Sequence, residues 1–143
     1  METALDEFCE GRVPSGPYFD HVLEYWNERG RSNNLLFLTY EELKRDPHGH
    51  VKKVAEFLNC PLSCDEAERV VEKCSFERLS KMQVNRNDNG RVHWSGTKFG
   101  SFFRRGEIGD WKNHLTPEMA ERLHKIASEK WVGSGLESRL LAE

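Results

Sequence analysis

The stretch that most limits how this chain can fold is Gly100–Asn113, which reads G-S-F-F-R-R-G-E-I-G-D-W-K-N. It has neither helical nor strand periodicity, so it predicts a loop. Its adjacent Arg104 and Arg105 carry planar guanidinium groups, which bind phosphate oxygens through paired hydrogen bonds. Gly106 lets backbone N–H groups approach an anion and can adopt a positive φ. The loop is therefore a candidate phosphate site, although R-R-G by itself is more typical of a basic surface loop with two buried aromatic side chains.

Composition narrows the class of protein. The chain has 143 residues, which suits one domain with a core. Its formal net charge of −3 argues against a nucleic-acid binder, and 37% hydrophobic with 31% charged residues is typical of a globular protein in water. No apolar run is long enough to span a bilayer, and the acidic segment 1–7 lacks the features of a signal peptide. We therefore expect a cytoplasmic protein with no membrane partner.

The cysteines offer little support for a metal site. Cys60 and Cys64 are spaced C-x-x-x-C, which would suit half of such a site. No nearby histidine or cysteine completes a tetrahedral set, so no metal is predicted. Reduced cysteines are the expected state in a cytosolic protein.

Apolar spacing and helix-capping residues predict most of the secondary structure. Phe19, Val22, Leu23 and Trp26 recur at helical spacing, which predicts a helix over about 17–29. Capping residues predict further helix starts. Asp46–Pro47 and Thr116–Pro117 each place a proline after an N-cap, Ser63–Glu66 is a capping box, and a short helical turn is predicted at Ser75–Phe76.

The run Leu35–Thr39 is short, apolar and bounded by turn residues, which favours a buried parallel strand. Tyr40 follows at the carboxyl end of that strand, where ligands bind in open α/β sheets. A tyrosine there can face a ligand or simply pack beside the sheet. Phe76 also has two possible roles, because a lone phenylalanine either stacks on a base or lies in a core.

The run F-F-R-R-G-x-x-G-D-W-K-N-H resembles the C-terminal signature of cytosolic sulfotransferases, whose usual form is R-K-G-x-x-G-D-W-K-x-x-F-T. The segment from Gly11 to Trp26 and the run L-x-F-L-x-Y-E-E-L-K-x-D-P extend the resemblance, which covers roughly residues 5–137. It implies an α/β fold class: the C-terminal part of a P-loop-like parallel-sheet sulfotransferase fold, mostly helical here with one clear strand at about 35–39.

The resemblance also implies a co-substrate, 3′-phosphoadenosine-5′-phosphosulfate, and a set of residues that bind it. The arginine pair and the following glycine match the positions that hold the 3′-phosphate, with Arg105 in place of the usual lysine. C-S-F-E-R-L matches T-S-F-x-x-M, whose phenylalanine stacks on adenine; Cys74 lacks the usual threonine hydroxyl, and Leu79 keeps the apolar contact. The implied cofactor-binding residues are Tyr40, Cys74, Ser75, Phe76, Leu79, Phe102, Phe103, Arg104, Arg105 and Gly106.

Two parts of the family's machinery have no match in this sequence. They are the phosphate loop that binds the 5′-phosphosulfate and the catalytic histidine, so no catalytic residue is assigned. The resemblance thus implies a sulfuryl transfer to a hydroxyl or amine of a small molecule, in which this chain holds the nucleotide side and is inactive alone. The alternative is a non-catalytic truncated isoform that acts as an interaction or regulatory protein.

Further expectations concern the organisation of the chain. We expect residues 1–143 to form a single partial domain, with a mobile loop at 83–99 and a frayed tail at 136–143. Within the loop, His93 and Trp94 can either contact an acceptor or anchor the loop, and we predict the anchoring role. The motif K-x-x-x-T-P-x-x-x-E at Lys112–Glu121 resembles the family's dimer motif, and Pro117 replaces its valine, which weakens the predicted homodimer contact.

Overall fold

The computed structural model of the protein describes residues 2–86, 90 and 92–140. Among these residues the regular structure is helical, with a single isolated antiparallel bridge between Val92 and Lys98. The α-helices are α1 (Glu2–Cys9), α2 (Tyr18–Glu28), α3 (Tyr40–Arg45), α4 (Pro47–Phe57), α5 (Cys64–Lys73), α6 (Phe76–Lys81), α7 (Pro117–Trp131) and α8 (Glu137–Leu140). Short 3-10 helices lie at Gln83–Asn85, Phe99–Phe102 and Asp110–Asn113.

The chain divides into two compact units. The terminal unit combines Met1–Thr39 with Trp111–Glu143, and the central unit is Tyr40–Asp110. The single partial domain expected over residues 1–143 stays a prediction.

The terminal unit is organised around two buried tryptophans. Trp26 of α2 and Trp131 of α7 are 5% and 3% exposed and share a core cluster with Phe19. Each indole N–H donates to a backbone carbonyl at 2.9 Å, Trp26 to Ser134 and Trp131 to Phe19. Both rings are thus buried with their polar group satisfied, which is the usual condition for a tryptophan in a core. The helix predicted over about 17–29 is confirmed as Tyr18–Glu28.

The predicted strand at 35–39 is not confirmed. Residues 35–39 form irregular chain, and the described residues include no strand that could pair with them. Phe37 instead packs on the core cluster, with its ring centroid 5.2 Å from that of Trp26. Phe37 is therefore packed on a helical core and not in a sheet, and an apolar run of this length does not by itself distinguish the two environments.

The carboxyl end of the chain also differs from the expected frayed tail at 136–143. Leu136 is fully buried in the core cluster, and Glu137–Leu140 form α8. Glu137 accepts a hydrogen bond from the backbone N–H of Gly133 at 3.0 Å, which closes the turn before the helix. The rest of the predicted tail, residues 141–143, lies outside the described residues.

The central unit follows its predicted caps closely. The Asp46 carboxylate accepts from the Gly49 N–H at 2.9 Å, and α4 begins with Pro47. Ser63 and Glu66 form the complete capping box of α5, and the hydrogen bonds from Ser63 lower the pKa of Glu66. Helix α5 packs on α4 and is followed closely by α6, whose own N-cap is Ser75.

Replacing Trp131 with phenylalanine tests the core of the terminal unit. The change removes a buried N–H donor and part of a packed ring, so we expect a loss of about 2–4 kcal/mol in the free energy of unfolding. The neighbouring Val132 is 78% exposed, and Val132→Ala should change stability by less than about 0.5 kcal/mol. Urea denaturation of the two variants measures both values; equal midpoints would contradict the described core.

Candidate functional site

The candidate site lies in the central unit, in the irregular segment between two 3-10 helices. We call residues 103–110 the arginine loop. It leaves the 3-10 helix Phe99–Phe102 and ends at Asp110, the first residue of the next 3-10 helix. The chain turns twice through the left-handed region, at Gly106 with φ of +65° and at Gly109 with φ of +76°. A non-glycine residue would be strained at either turn, so both positions favour glycine.

Both arginines of the loop point to one buried carboxylate. The Asp110 side chain is 7% exposed, whereas the side chains of Arg104 and Arg105 are 57% and 55% exposed. Arg104 Nη2 lies 2.6 Å from Asp110 Oδ2, and Arg105 Nη1 lies 3.6 Å from Oδ1. The guanidinium groups are therefore held together at one side while much of each side chain faces solvent. Such a pair can receive a second, external anion.

Gly106 is packed against the ring of Phe76. A Cβ added at Gly106 would lie 2.4 Å from Phe76 Cδ2 and 2.8 Å from Cγ, much closer than carbon atoms approach. Only a residue without a side chain fits between the loop backbone and this ring. The contact places Phe76 directly beside the segment that carries the two guanidinium groups.

The position of Phe76 is determined by local structure. Ser75 is the N-cap of α6, and its hydroxyl accepts from the Arg78 N–H at 3.3 Å. Phe76 is half-buried, and its ring centroid lies 5.8 Å from that of Phe103 at an interplanar angle of 53°. The structure therefore brings Phe76, Phe103 and Gly106 together next to the arginine pair.

The remaining predicted site residues are Tyr40, Cys74, Leu79 and Phe102. Tyr40 begins α3 and is 47% exposed, and among the described residues it makes no ring contact with Phe76. Cys74 is exposed at the end of α5, and Leu79 is half-buried in α6. Phe102 is 57% exposed and lies 5.6 Å from the ring of His93, not against Phe76.

The segment predicted as a mobile loop, 83–99, contains a compact turn. His93 donates its backbone N–H to the Thr97 carbonyl at 2.8 Å, and its ring contacts Phe99 and Phe102. This fits the expected anchoring role of His93, whereas Trp94 is 90% exposed and therefore does not anchor the loop. Residues 87–89 and 91 lie outside the described residues, and mobility stays a prediction.

Asp110 is the residue of the candidate site that the sequence analysis did not predict. It lies in the G-D-W part of the signature, but no pattern assigned it a partner. A useful signal was its place after a glycine, in a short polar loop that begins with two cations. An acid in such a loop can turn back to pair with them.

The described residues contain neither a metal-binding cluster nor a membrane-spanning helix. No group of three or more His, Cys, Asp or Glu side chains could hold a metal ion in that part of the chain. In the same residues, no helix has the length and apolar character needed to cross a membrane. All four cysteines are free thiols.

Residues 1–135 match the family model described as the sulfotransferase domain. The chain belongs to the sulfotransferase family. The resemblance that the sequence motifs predicted is thereby confirmed.

Relatives and a solved structure agree with this assignment. The chain is 43% identical over 138 residues to cytosolic sulfotransferase 12 of Arabidopsis thaliana, covering 95% of this chain and 41% of that protein. Cytosolic sulfotransferase 3 of the same plant is 40% identical over 136 residues, covering 91% and 42%. The crystal structure of mouse sulfotransferase SULT7A1 complexed with PAP superposes with a TM-score of 0.79 at 30% identity, covering 96% of this chain and 49% of that one. The chain thus shares the sulfotransferase fold but spans less than half the length of these relatives.

Replacing Gly106 with alanine tests the contact with Phe76. The new Cβ would collide with the ring and the residue would be strained at positive φ, so we expect a loss of about 2–4 kcal/mol in stability. Gly96 is the matched control, because its φ is +80° but nothing lies within 4 Å of an added Cβ. Gly96→Ala should therefore cost only the backbone strain, about 1–2 kcal/mol.

Thermal unfolding of both variants, of Phe76→Ala, and of Gly106→Ala combined with Phe76→Ala measures the difference. Alanine lacks the Cγ and Cδ2 atoms that the new Cβ would meet, so Gly106→Ala should cost less stability in the Phe76→Ala background. Equal losses for Gly96→Ala and Gly106→Ala would mean that the ring does not press on the loop.

Proposed function

We propose that this chain binds the adenosine 3′-phosphate side of 3′-phosphoadenosine-5′-phosphosulfate, within a transfer of the sulfuryl group to a hydroxyl or amine of a small molecule. The observation that carries the proposal is the convergence of Arg104 and Arg105 on one side of the loop, beside the ring of Phe76. Membership of the sulfotransferase family supports the reaction class. The PAP bound in the mouse relative supports a nucleotide of this kind.

The arginine pair suits a phosphate monoester. A 3′-phosphate carries close to two negative charges at neutral pH, and guanidinium forks match its oxygens bidentately. Arg104 and Arg105 are adjacent, more than half exposed and held by the same carboxylate. Gly106 has no Cβ to obstruct the anion, and its neighbours' N–H groups can add hydrogen bonds.

The aromatic ring beside the arginines suits the base. Phe76 is half-buried and is packed against Phe103 and the Gly106 backbone, so it is held in one orientation. Stacking on a base contributes about 1–3 kcal/mol and accepts any purine face. In this proposal Leu79 supports the ring, Ser75 positions α6, and Tyr40, Cys74 and Phe102 lie at the margin of the adenosine.

The proposal assigns the nucleotide side alone to this chain. The transferring group has to be neutralised and aligned with the acceptor for catalysis, and no described residue is assigned to either task. We therefore expect the chain by itself to bind nucleotide without transferring sulfuryl. The names of the plant relatives support a cytoplasmic location; the acceptor and the homodimer stay predictions.

The double variant Arg104→Ala/Arg105→Ala tests the proposal. Calorimetry should show that it binds adenosine 3′,5′-bisphosphate at least about 100-fold more weakly than the unaltered chain, because two charge-assisted contacts are lost. Binding of AMP, which lacks the 3′-phosphate, should change little. A bisphosphate affinity equal to that of the unaltered chain, or no saturable binding by the unaltered chain, would contradict the proposal.

A matched control removes the same charge elsewhere. Arg31 and Lys81 are 73% and 67% exposed and pair with Glu28 and Glu77 on helices outside the loop. Arg31→Ala/Lys81→Ala should leave bisphosphate affinity within about twofold, since exposed pairs contribute little. A large loss in this control would mean that overall charge, and not the arginine loop, attracts the nucleotide.

A further inference from the structure

Asp110 has an unusual position for an acidic residue next to a proposed anion site. Its side chain is 7% exposed, and each of its oxygens faces a different guanidinium group, Oδ2 toward Arg104 and Oδ1 toward Arg105. By simple attraction and repulsion, an acid here would weaken the binding of a phosphate. Its burial and its place beside both guanidinium groups point to a structural task that outweighs this repulsion.

The task follows from the charges of the neighbouring residues. Two adjacent guanidinium groups repel each other, and long exposed side chains occupy many rotamers in water. A carboxylate between them offsets the repulsion and restricts both side chains to the same side of the loop. Burying the carboxylate is costly unless cations surround it, so the arrangement is mutually dependent.

The backbone brings this carboxylate to the arginines. The backbone passes through the left-handed region at Gly106 and Gly109, and beyond these two residues the Asp110 carboxylate lies beside both guanidinium groups. Asp110 then begins the 3-10 helix Asp110–Asn113, so its position rests on regular structure at the end of the loop. The Arg104–Asp110 distance of 2.6 Å indicates the tighter of the two ion pairs.

We propose that Asp110 is a positioning residue for 3′-phosphate recognition, which holds the two guanidinium groups in the geometry that receives the phosphate. This inference rests on the proposed function of the loop and adds a residue to it. Preorganised groups lose less conformational freedom on binding, and affinity rises accordingly. Asp110 therefore strengthens phosphate binding although its charge has the wrong sign.

The inference is tested by whether Asp110→Asn weakens or strengthens the binding of the bisphosphate. Asp110→Asn should weaken adenosine 3′,5′-bisphosphate binding by about tenfold in calorimetry, with AMP affinity within about twofold of the unaltered chain. The preference for the bisphosphate over AMP should therefore fall, which a general loss of folding would not produce. Unchanged or tighter bisphosphate binding would overturn the inference, because it would show that Asp110 merely competes with the phosphate.

Glu107 supplies the matched control. It is an exposed acid in the same loop, and Glu107→Gln makes the same change of charge. Without a positioning task, this change should leave bisphosphate binding equal or slightly tighter. Opposite effects of Asp110→Asn and Glu107→Gln on bisphosphate affinity would support positioning; weakening of equal size in both variants would contradict it.

A second variant covers the case in which Asp110→Asn does not fold. Asp110→Glu keeps the charge but displaces it by one methylene group, so positioning predicts a several-fold loss of bisphosphate affinity. Competition by charge alone predicts no loss, and that result would overturn the inference. Failure of the inference differs from failure of the proposed function, because the double arginine variant would still lose 3′-phosphate binding.

Discussion

The backbone of Gly106 lies against the ring of Phe76, and the rest of the candidate site depends on this contact. It joins α6 to the arginine loop, two segments that are distant in sequence, and the ring contact between Phe76 and Phe103 joins them as well. Because an added Cβ would lie 2.4 Å from the ring, the close approach is open to glycine alone. The contact keeps the ring of Phe76 close to the segment that carries Arg104 and Arg105, and the proposed nucleotide site depends on this spacing.

The position of the Phe76 ring depends on helix caps. Ser63 begins α5 through a complete capping box, and Ser75 begins α6 directly afterwards. Each cap satisfies backbone N–H groups that would otherwise lack partners, so the first turn of each helix is fixed by local hydrogen bonds. Phe76 is the first residue of α6, so its position depends on these caps.

The arrangement of the two arginines depends on their electrostatic attraction to Asp110. Arg104 and Arg105 extend toward solvent, while the carboxylate between them is buried. The two cations beside the Asp110 carboxylate offset the free-energy cost of burying its charge. The same carboxylate holds both exposed guanidinium groups. Arginine suits this arrangement better than lysine, because a planar guanidinium can contact one anion at one edge and a second at another.

The caps at Asp46, Ser63, Ser75 and Thr116 could be predicted because they depend on residues within one helical turn. The arginine pair and Gly106 could be predicted from the motif as well. The conformation of segment 35–39 could not, because an apolar run packs equally well against a sheet or against helices, and here Phe37 packs on the ring of Trp26.

The sequence by itself therefore determined the family and the helix starts at four caps, which depend on short motifs and local hydrogen bonds, and it supplied the arginine pair of the proposed phosphate site. Only the tertiary structure decided that Asp110 lies between the two arginines, that Phe76 contacts Gly106 and that Leu136 is fully buried. Those outcomes depend on how distant segments pack. Packing is set by the shapes and charges of side chains that meet only in the folded protein.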